Sequence, residues 1–246
     1  MRLFNYFPYR PAPVDKELEK KIFRYSLFFP TLFVVALWLV ELTETIFGLN
    51  FTTLGIFPLH SKGLPGIALS PFIHSDFKHL GANTVSFFIL SSALFYFYRR
   101  LAYRIFILLF FLSGLCVWLG GREAWHIGAS GLVYGLASFL FFSGIFRNDV
   151  RLLTIGLIVA FLYGSMFWGI FPIQPEISWE SHLWGAVSGV ALSFSYRKQG
   201  PQRQKMEWED EPDEETEEDA NIDFSGKENV SDEAGIENIQ NSNQPD

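Results

Sequence analysis

The sequence predicts an all-α membrane protein, a bundle of six transmembrane helices with both termini on the cytoplasmic side. Three observations carry that prediction. The 246 residues are 49% hydrophobic and 17% aromatic but only 18% charged, where a soluble domain carries about 25% charge. Apolar runs of about 20 residues, enough to cross roughly 30 Å of hydrocarbon, recur without the period-two alternation of barrel strands. The basic residues are also sorted: sixteen fall on one side of the proposed spans, and only Lys62, Lys78 and Arg122 on the other. The richer side is the cytoplasmic one.

The net charge of −7 conceals a division at Met206. Residues 1–206 sum to +8 and residues 207–246 to −15. A basic, apolar body with an acidic tail excludes a nucleic-acid binder built on a basic groove. The single cysteine, Cys116, excludes an internal disulfide and a cysteine-rich zinc module.

Residues 1–24 read as a cytoplasmic N-terminal segment and residues 25–197 as the membrane domain. The first span runs from Tyr25 to Phe47 through LFFPTLFVVALWLV, with Pro30 in its first turn, where a missing N–H is tolerated. No small-residue cleavage site follows, so it reads as a span rather than a signal peptide. Gly48 to Asp76 forms the longest outer segment, a partly interfacial lobe. The second span covers His79–Tyr98, the third Leu101–Leu119, the fourth Ile127–Phe146, the fifth Leu152–Phe171 and the sixth Trp179–Tyr196. Residues 198–246 form an acidic tail too poor in apolar residues to fold alone.

Polar residues inside spans are costly and mark function. Four groups lie toward the outer side: FIHSDFKHLGAN with His74, His79 and Asn83; HIGASGLVYG with Ser130; SHLWGAVSG with His182; and glycines four apart, Gly131 and Gly135 on the fourth span, Gly185 and Gly189 on the sixth. Small residues at that spacing let two helices approach closely, and Gly128 precedes them at the mouth of the fourth span. If these faces meet, Ser130 and His182 stand opposite one another. A serine needs an adjacent base, and histidine suits that task. The backbone N–H of Ser130 at a helix N-terminus, with Asn83 and His79 one turn apart, would supply oxyanion donors. His74, five residues before His79, belongs to the preceding loop.

The order H-x4-H-x3-N, G-x-S-G and H-x2-G-x3-G, each on its own helix of a six-helix bundle, resembles the rhomboid family of intramembrane serine proteases over about residues 20–197. The resemblance implies a rhomboid-type bundle in which Ser130 and His182 form a dyad without a third acid. Tyr134, four after the serine, would pack on the His182 ring. His79 and Asn83 would complete the oxyanion hole, with His74 in support. It further implies an integral multi-pass protein of a bacterial plasma membrane, its site opening outward. The substrate is a transmembrane protein in the lipid bilayer; no cofactor, metal or nucleic acid is implied. Two departures stand out: the first outer loop reads GLPGIA where bacterial members often carry Trp-Arg, and Phe95 and Arg99 occupy positions commonly Glu and Gly.

Other chemistries fit less well. A soluble-hydrolase elbow G-x-S-x-G would need glycine at Leu132, and no H-E-x-x-H run is present. No aspartate lies within a proposed span, against an aspartyl protease, and no inverted repeat suggests a transporter. The nearest rival is a catalytically inactive rhomboid-like factor that binds membrane proteins; retention of both Ser130 and His182 favours the enzyme. The remaining polar residues have plain readings. Ser86, Ser91, Ser92, Ser113 and Ser138 should bond their own helix backbone. His60 and His126 should be solvated in outer loops, Glu41 and Glu44 should reach the outer interface, and Cys116 should lie in the core.

Overall fold

A computed structural model describes residues 15–147, 152–155, 157–158, 169–172 and 178–200. The first helix, α1 (Lys16–Phe47), starts well before the predicted span. Asp15 caps it, accepting from Glu17 N at 3.0 Å and Leu18 N at 3.2 Å, and Gly48 ends it in the left-handed region at φ 62°. Because the helix starts so early, Pro30 sits in its interior rather than its first turn, where it leaves the Ser26 carbonyl without its helical donor. Ser26, Pro30, Phe33, Leu37 and Glu41 recur every three or four residues as the buried stripe of α1, which faces α3 (Phe77–Phe97). Glu41 is therefore buried in this seam, 6% exposed, instead of reaching the interface. Glu44 is half-buried and accepts from Phe51 N at 2.6 Å.

The segment after α1 is a folded lobe of 3-10 turns and one short helix, α2 (Gly66–Leu69). Its single β-bridge pairs Ile56 with His126, with backbone bonds of 3.0 and 2.8 Å. Leu59 N donates to Trp118 O at 3.0 Å and Trp118 Nε1 to His60 O at 3.1 Å, which dock the lobe on α4 (Ala102–Gly120). No strand appears among the described residues.

The core between α1, α3 and α4 is aromatic. Phe33 stacks on Phe87 at 4.5 Å between centroids and meets Phe106 edge-on at 5.6 Å. On the other side α5 (Ser130–Arg147) packs most extensively against α6 (Trp179–Ser195). At the end of α5 remote from Ser130, Arg147 is buried rather than solvated. It donates to Tyr98 OH at 2.6 Å and to the carbonyls of Tyr196 and Gln199, tying three helix ends together. Among the described residues α1, α3, α4 and α5 are each long and apolar enough to cross a membrane. Most of the predicted fifth span, and all of the acidic tail beyond residue 200, lie outside the described residues.

Candidate active site

The glycine faces do meet. A Cβ on Gly185 would overlap the Gly131 carbonyl, and one on Gly189 would overlap the Gly135 carbonyl. Only hydrogen at these positions lets the α5 and α6 backbones touch. That contact brings Ser130, the first residue of α5, against His182 on the first turn of α6. The Ser130 hydroxyl lies 2.9 Å from His182 Nε2, and both residues are 8% exposed.

The opposite face of the imidazole determines its chemistry. His182 Nδ1 donates to the Gly169 carbonyl at 2.8 Å. A carbonyl only accepts, so Nδ1 carries the proton and Nε2 presents its lone pair to the serine. The ring of Tyr134 stacks on His182 at 4.2 Å and 9°, which holds the imidazole plane. Gly169 is the residue that sequence reasoning missed: a backbone acceptor leaves no mark in side-chain identity. The available signal was its lack of a side chain, since a Cβ there would overlap the Tyr134 hydroxyl and lie 3.0 Å from His182 Nδ1.

Across from the serine, His79 and Asn83 lie one turn apart on α3, facing the turn that leads into α5. Gly128 in that turn has φ 105°, and a Cβ there would lie 2.9 Å from the His79 ring and 3.8 Å from Asn83 Nδ2. Gly128 thus serves close approach of this turn to α3. Asn83 is buried and its Nδ2 has no hydrogen-bond partner among the described residues, an uncommon cost for a buried amide. His74 lies in the loop, as expected, with its ring 5.1 Å from that of His79. It accepts from Ala129 N at 3.4 Å, and burial lowers its pKa to about 4. His74 is therefore a neutral acceptor that steadies the backbone beside Ser130. Asp76 caps α3, accepting from His79 N at 2.8 Å; this bond and the one from Ser75 hold its carboxyl below the usual range.

The plain readings divide. Ser86, Ser91 and Ser113 bond carbonyls of their own helices, while Ser92 Oγ is buried without a partner among the described residues. His60 is exposed. His126 is not: it is 1% exposed and bonded at both ring nitrogens. Cys116 is half-buried rather than in the core. No cluster of three or more potential metal ligands occurs among the described residues.

A helical membrane protein that joins a serine to a histidine between two glycine-faced helices belongs to a narrow class, and comparison with known proteins specifies it. The family model of the rhomboid domain matches residues 63–199. The chain is 35% identical over 176 residues to Rv1337 of Mycobacterium tuberculosis, an uncharacterized protein, spanning 66% of this chain and 71% of that one. It is 30% identical over 174 residues to the uncharacterized ML1171 of Mycobacterium leprae, spanning 66% and 68%. A Bacillus subtilis protein provisionally named rhomboid protease YdcA is 28% identical over 137 residues, 50% of this chain and 62% of its own. This chain belongs to the rhomboid family, whose members are in general intramembrane serine proteases.

Proposed function

We propose that this protein is an intramembrane serine endopeptidase that cleaves transmembrane proteins with a Ser130–His182 dyad. The observation that carries the proposal is the 2.9 Å contact between Ser130 Oγ and the unprotonated Nε2 of His182. As Oγ attacks the scissile carbonyl carbon, its proton passes to Nε2. Negative charge moves onto the carbonyl oxygen, where Ser130 N, Asn83 Nδ2 and the His79 ring would receive it. Collapse of this intermediate breaks the C–N bond, and the Nε2 proton goes to the leaving amine. Water then attacks the acyl-serine, with His182 again taking a proton and returning it to Oγ.

The membrane domain in this reading spans residues 25–197 with six helices, including the fifth, and both termini in the cytoplasm. The N-terminal segment 1–24 and the tail 198–246 flank it there. The distribution of Lys and Arg supports that orientation. The site then opens on the outer face of a bacterial plasma membrane, from which hydrolytic water enters. The partners are the lipid bilayer and a transmembrane substrate, which must unwind locally because an intact helix hides its carbonyls. The chemistry needs no metal or organic cofactor.

The test is labelling of the purified protein with a fluorophosphonate probe. Native protein should label, while Ser130→Ala and His182→Ala should neither label nor cleave a model transmembrane substrate. Substantial turnover by Ser130→Ala would refute the proposal.

A further inference from the structure

His126 lies outside the motifs that define the family resemblance and takes no part in the chemistry above, yet it is among the most buried polar side chains of the protein. Both of its ring nitrogens are engaged. Nε2 lies 3.0 Å from the Arg122 carbonyl and must donate to it. Nδ1 is then an acceptor, and the Ser178 hydroxyl donates to it at 2.5 Å. Ser178 Oγ in turn accepts from the Ser181 hydroxyl at 2.6 Å. These directions hold for neutral His126, the state favoured by burial, which lowers its pKa.

Ser178 is the N-cap residue of α6, but its hydroxyl caps no backbone N–H of that helix. A serine at this position ordinarily caps and stabilises its helix, and here its hydroxyl is diverted to His126. The Ser178 carbonyl meanwhile accepts from Ser181 N at 3.1 Å and His182 N at 3.4 Å. Two successive hydrogen bonds therefore run from the His126 ring through Ser178 to the backbone of His182. The other end of His126 is equally fixed, its backbone paired with Ile56 of the outer lobe. A second link joins the same two segments: Arg122 Nε lies 3.3 Å from Oε1 of Glu180, whose side chain is buried.

We infer that His126 is a positioning residue, a post between the segment entering Ser130 and the first turn of α6 that keeps His182 in register with the serine. This inference rests on the dyad reading for its kinetic consequence, but its structural part does not. His126→Phe keeps a planar ring and removes both bonds; Ser178→Ala removes the hydroxyl alone.

The full chain, reconstituted in liposomes with a model transmembrane substrate, should show kcat lowered about tenfold in His126→Phe with KM within about twofold. Small displacements of reacting groups fall on kcat in this way. Ser178→Ala should lower kcat less, and the double variant should be no worse than His126→Phe, because both remove one shared bond. Hydrogen exchange read by mass spectrometry should show faster exchange over residues 178–184 in His126→Phe, with the remote half of α5 unchanged. Additive kinetic losses would overturn the inference, as would a loss matched by a lower Tm with exchange raised everywhere. Unchanged exchange over 178–184 would overturn it whatever the activity. Cleavage surviving in Ser130→Ala sinks the dyad instead, and the exchange measurement then decides this inference alone.

Discussion

Replacing Asn83 with leucine should move activity and stability in opposite directions. The amide is 6% exposed and its Nδ2 has no partner among the described residues. An unsatisfied buried donor costs about 1–3 kcal/mol in the resting fold. Leucine has nearly the same shape and no donor, so the folded state should be unchanged or stabilised by up to that amount. The transition state loses instead. Removing one oxyanion donor typically lowers kcat by about 10²–10³, or roughly 2.7–4 kcal/mol. The assay pairs single-turnover cleavage of a fluorogenic transmembrane substrate in liposomes with thermal unfolding followed by tryptophan fluorescence. The seven tryptophans supply the signal. A variant with lowered kcat and a Tm at or above that of the native protein is the expected result. If kcat is unchanged, Asn83 does not face the oxyanion. If kcat and Tm fall together, it is a packing residue and the argument from its unpartnered amide is wrong.

Three further outcomes follow from the geometry. Gly169→Ala would place a methyl group against the Tyr134 hydroxyl and 3.0 Å from His182 Nδ1; kcat should drop about 10- to 100-fold, and Tyr134→Phe in the same chain should recover part of the loss by removing the obstructing oxygen. Gly185→Ala would drive a methyl into the Gly131 carbonyl, so α5 and α6 must separate; thermal unfolding should report about 1–3 kcal/mol of destabilisation with activity lost alongside, and a native Tm would contradict the close contact. His74 concerns pH. Its unfolded form takes a proton near pH 6.5, but the folded form, desolvated by burial, resists until about pH 4. Stability is therefore constant above that window and declines as pH falls through it, by about 3 kcal/mol at about 1.36 kcal/mol per pKa unit. Tm measured from pH 7 to 4 should fall less steeply in His74→Phe than in the native protein.

The sequence alone carried the helical spans, because crossing hydrocarbon demands long uninterrupted apolar runs, and such runs are local. The α3, α4, α5 and α6 boundaries fall within a few residues of the spans read from composition. The start of α1 did not, since the Asp15 cap and the first acidic turn are polar signals that hydropathy ignores. The serine and histidine were legible because their helices also carry glycines four apart, a local pattern that implies a facing partner. What only the tertiary structure decided is the environment of each polar group. Sequence position alone puts His126 in a solvated loop and Glu41 at the outer interface, but both are buried by segments distant in the chain, Ser178 and α3. The His182 tautomer depends on the Gly169 carbonyl, a backbone atom that every residue possesses. Apolar length is a property of a segment, whereas burial, protonation and hydrogen-bond direction belong to pairs of segments, and pairs exist only once the chain has folded.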